Sequence, residues 1–430
     1  MAAGLWARPA GRLTRVYSKG SEREGAFRLV ENDGVDPAEI ARASHRATAR
    51  RCASEAVVYV PIDSTSLSIV DWQRRKGRIA PNSKIPRGGP VAMSALAVDQ
   101  RGTTLGTLGL EYWVRSPKRC PRWHQDNRPV EQRESSLWKR VLLSTLQVMR
   151  THSPHCTAWF QMDRGADIGQ VLALAHEMSL MVTVRATHDR AIESDTSHSW
   201  LWPQLQVQPV LGYMTVRVPA RQNRPARVAR LSLRAKKLRF RVAKEPRRRR
   251  NCWVELTAVH VKEVGRCGDG IEWMLWTTYP VQNAQDVLAV VHGYTMRWRI
   301  EDFHRAWKSG ACDIESSQLR STSALQRWSA IAAAVAARAE HLKLLSRSDP
   351  DNDAELELSR DEIDAAIILT KTKHHRIGDK LTLQQAVWLV AQVGGYTGKS
   401  SGGPPGAQTI ARGLQFVAPA AAALAATRSG

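Results

Sequence analysis

Residues 294–308 read YTMRWRIEDFHRAWK, and their spacing decides how the rest of the chain is interpreted. Set on a helix at about 100° per residue, Met296, Ile300, Phe303 and Trp307 fall within about 60° of one another and predict a buried stripe. Tyr294, Arg297, Trp298, Glu301, Arg305 and Lys308 fall on the opposite side, within about 100°. A solvated face would account for the charges. It would not account for a single carboxylate ringed by cations, with a tyrosine and a tryptophan beside it. This face is therefore read as one that meets a charged partner.

The totals suggest which partner. Lysine and arginine number 63 against 40 acidic residues, a net charge of +23, which favours a polyanion and nucleic acid first. A chain of 430 residues with 43% apolar content can bury a large core in two or three domains. No run of 18 apolar residues occurs, and MAAGLWARPAGRL lacks the apolar centre of a secretory signal. The six cysteines form no CxxC pair and read as reduced thiols. The histidines include no HExxH, which argues against a zinc hydrolase.

Along the chain, residues 1–50 read as charged and irregular, with one helix in DPAEIARASHRATARR that Asp36 caps and Pro37 opens. AVVYVPIDSTSLS is a strand run ending at Asp63, and GGPVAMSALAVDQRGTTLGTLGLEYWVRS a hairpin turning at Asp99–Gly102. ESSLWKRVLLSTLQVM has helical spacing, CTAWFQMDRGADI is a strand ending at Asp163, and QVLALAHEM followed by SLMVTVRA gives a helix and a strand. Strands mixed with helices in this order predict an α/β layer. Between about 190 and 272 the pattern becomes all-β, with LSLRAKKLRFRV alternating Leu238, Phe240 and Val242 against Arg239 and Arg241. The RRRR run at 247–250 reads as a solvated turn or a phosphate contact. WMLWTTYPV is a further strand, 283–309 reads as one helix, and 312–425 is mostly helical around the loop GGYTGKSSGGPPG.

Three carboxylates stand out by position. Asp63 and Asp163 each lie near the end of an apolar strand, and Glu301 is the only carboxylate of the cationic face. Converging strand-end and helix carboxylates can hold two divalent ions about 4 Å apart for phosphoryl transfer. Hard oxygen ligands select Mg²⁺ or Mn²⁺ over zinc. A lone aspartate after a strand is also an ordinary turn former, so position by itself leaves both readings open.

VPIDSTSLS, QMDRGADI and YTMRWRIEDFHRAWKSG, taken together, resemble bacterial insertion-sequence transposases of the DDE class, the IS-four family. That family's Tyr-(2)-Arg-(3)-Glu-(6)-Lys pattern is matched by Tyr294, Arg297, Glu301 and Lys308 with every gap kept. The likeness runs from about residue 20 to the C-terminus and includes NRPARVARLSLR and GGYTGKSSGGPPG. It implies a ribonuclease-H-like mixed sheet with flanking helices, interrupted by an all-β insertion and followed by a helical C-terminal region. The division expected is 1–50, a DNA-binding remnant; 51–190, the first part of the catalytic core; 191–272, the β insertion; 273–311, the second part of the core with Glu301; and 312–430, a dimerisation region.

The resemblance also implies the chemistry. Asp63, Asp163 and Glu301 become the metal-binding catalytic triad for two Mg²⁺ or Mn²⁺ ions, while Asp167, which also matches a family position, is taken as structural. Each DNA end is nicked, folded into a hairpin, reopened and joined to target DNA. Trp298 and Trp273 match tryptophans that handle the flipped base, although Trp273 also suits ordinary strand core. Tyr294, Arg297 and Lys308 match phosphate contacts, as does Arg185, which could equally be solvated. Double-stranded DNA and a second copy of the chain are the implied partners, in the cytoplasm at the nucleoid and away from membrane. The segment before about residue 20 does not resemble the family's end-reading helices, so the chain reads as truncated there. A non-catalytic inhibitor that pairs with a full-length transposase is then the rival reading, and a metal nuclease on the same fold is the third.

Overall fold

The structure, a computed structural model, describes all residues except 78, 80–85, 117–128, 194–199, 219, 221–224, 246–249, 267, 269, 399–401 and 430. Its first 52 residues are more regular than their charge suggests. Helices α1 (Ala2–Ala7), α2 (Leu13–Val16), α3 (Gly20–Glu31) and α4 (Pro37–Cys52) follow one another. Only α4 was expected. Its N-terminus is as read, with the Asp36 side chain accepting from the Ala38 amide and Pro37 in the first turn. The other three escape notice because α1 and α2 are only six and four residues long and α3 is largely polar, and each is held by tertiary contact. Leu5, Leu13, Val16 and Val30 are buried in the main core, and the Gly11 carbonyl accepts from the indole N–H of Trp328 at 2.8 Å.

Nine strands form one mixed sheet in the order β5-β4-β1-β6-β7-β11-β10-β9-β8. They are β1 (Val57–Ser66), β4 (Val91–Val98), β5 (Thr104–Trp113), β6 (Thr157–Met162), β7 (Met181–Arg185), β8 (Gly212–Val218), β9 (Arg227–Glu245), β10 (Arg250–Glu263) and β11 (Glu272–Thr277). A two-stranded ribbon, β2 (Ile69–Val70) with β3 (Arg87–Gly88), follows β1. β1, β6 and β7 run parallel, and the other neighbours are antiparallel. The β-rich stretch of 212–263 continues the core sheet, because β10 pairs with β11 and β11 with β7. The hairpin turn at Asp99–Gly102 is present, with the Asp99 amide donating to Thr103 across it. Of the four arginines at 247–250, three lie outside the described residues, and Arg250 opens β10.

Strand alternation gives the sheet two faces. Val58, Val60, Ile62, Phe160 and Met162 join a core with α5 (Ser136–His152) and α6 (Gly169–Glu177). Tyr59 and Trp159 point the other way, into a core shared with α8 (Ala284–Thr295), α9 (Arg299–Lys308) and α10 (Thr322–Ser348). A short helix, α7 (Leu201–Gln206), leads to β8. α10 is buried along most of its length and joins the sheet to a third core formed by α11 (Arg360–Thr370), α12 (Leu383–Val393) and α13 (Ala407–Ser429). Residues 407–428 are long and apolar enough to cross a membrane by length and composition alone. That apolarity has a nearer use, since Ile410, Leu414, Val417 and Ala421 are buried against α11 and α12.

The stretch 283–309 is not one helix. α8 begins at a capping box, with Asn283 and Asp286 exchanging side-chain-to-backbone bonds, and ends at Thr295. A 3₁₀ turn over Met296–Trp298 separates it from α9. Three residues at about 120° instead of about 100° each advance the chain by roughly 60° beyond an α-helix. The face that looked single in the sequence is thereby split. Ile300, Phe303 and Trp307 are fully buried as expected. Tyr294 and Arg297 turn inward too, at 4% and 9% exposure, while Trp298 is left outside at 58%.

Candidate active site

Pairing register assembles the site. β1 and β6 run in parallel with Ile62 opposite Met162, so the next residues along, Asp63 and Asp163, emerge side by side. β6 and β7 run in parallel with Met162 opposite Val184, which sets Arg185 beside Asp163. Leu275 of β11 pairs with Arg185, and Trp273 lies two residues further along the same face. This row, Asp63–Asp163–Arg185–Trp273, lies on the face covered by α8 and α9. Asp63 sits inside β1 and not at its end, because β1 continues to Ser66. Asp163 follows β6 directly and caps a 3₁₀ turn, accepting from the Gly165 amide at 2.8 Å.

Arg297 closes the constellation from above. Its Nη1 donates to Asp63 Oδ2 at 3.0 Å and lies 3.5 Å from Glu301 Oε1. The 3₁₀ turn makes this possible by rotating position 297 toward the sheet, leaving its side chain 11% exposed. Burial pushes the Asp63 carboxyl up to about 7, the Asp163 carboxylate adds to the rise, and Arg297 and the Ser64 amide oppose it. Glu301 contributes further repulsion. Three carboxylates thus face one guanidinium, with Asp63 poorly solvated at 14% side-chain exposure and Glu301 open at 41%. Among the described residues, no group of three carboxylate, histidine or cysteine side chains is already drawn together tightly enough to hold an ion. Arg297 lies between Asp63 and Glu301 in that role. The donor set is all hard oxygen, and the surplus charge suits a divalent cation.

The remaining expected residues surround this centre. Tyr294 stacks edge-on against Trp273 at 5.5 Å between ring centroids. Its hydroxyl interacts with both Arg185 and Arg297, and burial raises its pKa. Burial likewise lowers that of Arg185, whose Nη2 donates to the Glu272 carbonyl at 3.3 Å. Trp298 is exposed, with the Arg297 guanidinium 5.2 Å from its ring centroid. Lys308 donates to Thr65 Oγ1 at 3.0 Å and lies 3.4 Å from Glu315 Oε1, so its charge is already engaged. Asp167 is fully buried and accepts from the Thr187 and His188 amides and from Arg190, the bonding of a structural tie.

Several participants went unread in the sequence. Thr65 and Glu315 hold Lys308, and Glu315 also accepts from the Ser68 amide. Ser94, opposite Asp63 in the β1–β4 register, bonds His304 Nε2 at 2.8 Å, pinning α9 to the sheet one turn beyond Glu301. Burial drives His304 down to about 3 and keeps it neutral. Gln161, two residues before Asp163, is buried with neither side-chain polar atom paired. Only Thr65 carried a signal, its place two residues after Asp63 on the same strand face. Two clefts of about 490 and 360 Å³ flank Phe416 in the C-terminal helices, and none of the carboxylates lines them.

The raised pKa of Asp63 has a consequence for stability. Ionising this carboxyl costs more in the folded chain than in the unfolded one. Its favourable contribution is therefore full below the ordinary value of 3.8 and is lost as pH rises through about 7. Without divalent ions, Asp63→Asn should be more stable than the parent at pH 8 by on the order of a few kcal/mol, with the gap closing below pH 4. Denaturant midpoints at the two pH values measure this. Equal stability at pH 8 would contradict the assigned environment.

Two family models match the chain. One, described as "Transposase DDE domain", spans residues 138–337 and includes Asp163 and Glu301 but begins after Asp63. The other, "Transposase Tn5 dimerisation domain", spans residues 334–429, the helices that follow most of α10. The matches overlap at residues 334–337 and follow the order of the fold just described, with the sheet from β6 onward first and the helical region after it. The chain belongs to the DDE transposases of the IS-four-like kind, enzymes that act on DNA and form dimers.

Proposed function

We propose that Asp63, Asp163 and Glu301 are the catalytic carboxylates of this transposase, and that they hold two divalent ions, Mg²⁺ or Mn²⁺. The observation that carries this reading is the shared Arg297 guanidinium beneath a surplus of carboxylate charge, with the Asp63 carboxyl pushed up to about 7. When bound, such ions supply activation of the attacking oxygen and stabilisation of the leaving one. The carboxylates orient them from two strands and one helix. Arg297 exchanges its carboxylate partners for a DNA phosphate, so its positive charge becomes part of the grip on substrate. Phosphate contacts of this kind position the DNA without reading its sequence. Arg185 joins that grip, Lys308 joins it on leaving Thr65 and Glu315, and the buried Tyr294 completes it through its hydroxyl, which already meets Arg185 and Arg297.

The reaction follows in balanced steps. A water oxygen bonds to the scissile phosphorus, the bond to the 3′ oxygen breaks, and a proton passes from the water to that oxygen. The freed 3′-hydroxyl then attacks the opposite strand, forming one phosphodiester and breaking another, to give a hairpin. A later water reopens it, and the same hydroxyl attacks target DNA. Hairpin formation requires a base to leave the stack at a cost of a few kcal/mol. An aromatic surface offsets roughly 1–3 kcal/mol of this by stacking. Trp298 is exposed next to Arg297 and suits that task. Trp273 packs edge-on against Tyr294 and meets the base behind Trp298. The work is cytoplasmic, at the nucleoid, where the DNA is.

Two outcomes test this reading. Asp63→Asn, Asp163→Asn and Glu301→Gln should each abolish nicking of a bound DNA end in Mg²⁺ while DNA affinity stays within a few-fold. Substantial nicking by any of them removes that residue from the triad. Trp298→Ala should spare the first nick and slow hairpin formation by about ten-fold or more, with partial rescue by an abasic nucleotide at the flipped position. Equal loss of both steps would mark Trp298 as a packing residue.

A further inference from the structure

We propose that the ribbon following the Asp63 strand is a second DNA-contact surface, and that it grips the target DNA to which the cleaved end is joined. This rests on the transposase reading above and concerns residues outside every motif so far discussed.

The ribbon β2–β3 ends in a turn that is tied down from within. The Asp71 side chain is buried and accepts from the amides of Arg75 at 3.1 Å and Lys76 at 2.8 Å. The Asp71 amide donates to the Pro86 carbonyl at 2.9 Å, and Lys76 Nζ donates to the Val70 carbonyl at 3.0 Å. Gly88 lets the two sides close, since a Cβ there would stand 2.4 Å from Asp71 Oδ2. On this fixed base the turn presents Trp72, at 72% exposure, with Gln73, Arg74 and Arg75 also exposed. Among the described residues, neither the Arg74 nor the Arg75 guanidinium has a hydrogen-bond or ion-pair partner. Arg74 is held at φ 52°, a left-handed conformation that is costly for a long side chain and that concentrates at ligand-binding sites. An exposed indole on a tied turn, beside two guanidinium groups without partners among the described residues, is the composition of a base-stacking, phosphate-binding platform.

Its position supplies the choice of DNA. The ribbon is coupled to the catalytic helix, because Glu315 accepts from the Ser68 amide at 2.8 Å and lies 3.4 Å from Lys308. It prolongs β1 and β4, on one side of the Asp163 strand in the sheet order. Arg185 and Trp273, on β7 and β11, lie on the other side. In the sheet order, the Asp163 strand therefore lies between the strands that lead to these two sets of cations and aromatic rings. Joining requires two DNA segments at one centre. The surface with Arg185, Tyr294 and Trp298 takes the element end, which leaves the ribbon for the segment it attacks.

The test separates cutting from joining. Trp72→Ala and the pair Arg74→Gly with Arg75→Ala should each reduce joining of a pre-cleaved end to plasmid DNA by about ten-fold or more, in full-length protein with Mg²⁺. Nicking of an uncut end should stay within about two-fold, and Trp72→Phe should recover most of the joining. Unchanged joining, or equal loss of nicking, would overturn the proposal while leaving the transposase reading intact. Parent protein that neither nicks nor joins would instead sink that reading and this one with it. Photo-crosslinking in the unaltered protein, with 5-iodouracil placed in either the target or the end, gives a check independent of variant folding. Crosslinks to residues 72–75 should come from the target strand, and crosslinks from the end alone would refute the assignment.

Discussion

One guanidinium between two carboxylates governs this site. Asp63, Asp163 and Glu301 arise from two strands and a helix that have their own reasons to pack, and the packing leaves Asp63 short of water while Glu301 keeps 41% of its side chain exposed. Arg297 meets Asp63 and Glu301 at 3.0 and 3.5 Å, yet Asp63 still protonates at about 7. Breaking a buried ion pair by removing one partner is far more costly than the pair is worth. The site therefore tolerates its surplus only while some cation is present. A guanidinium serves in the free protein. In the proposed mechanism, metal ions and a DNA phosphate divide its two interactions between them.

Much of this could be read before the structure was known, and the reasons are physical. The parallel strands carry period-two apolar patterns strong enough to identify β1 and β6, and each has its aspartate at the point where the apolar run stops. Of the expected buried stripe, Ile300, Phe303 and Trp307 held because they lie on one face of α9, while Met296, in the 3₁₀ turn, is only half-buried. The 3₁₀ turn at Met296–Trp298 was not legible, since its residues suit an α-helix equally well. Its consequence was large: Tyr294 and Arg297 are interior residues and not part of a solvated face. Register was also out of reach. The adjacency of Asp63, Asp163 and Arg185 depends on the register of two strand pairings, Ile62 with Met162 and Met162 with Val184, for which no local pattern exists.

The ribbon and the N-terminal helices were missed for a related reason. Trp72 and Arg74 gain meaning only from the burial of Asp71 and the close approach of Gly88, both tertiary facts. Helices α1 and α2 are short and α3 is largely polar, and the segment is fixed from outside, as when Trp328 donates to Gly11 and Arg327 to the carbonyls of Val30 and Val35. The β-rich segment was recognised as a change of pattern. That it extends one continuous sheet follows from β11, whose two edges pair with β10 and β7.

The most direct test is to locate manganese by anomalous scattering in crystals of the protein bound to a DNA end. The account predicts density between Asp63 and Asp163 and beside Glu301, with Arg297 withdrawn from both carboxylates and in contact with a phosphate. Manganese elsewhere, or Arg297 still bridging Asp63 and Glu301 in the DNA complex, would contradict it.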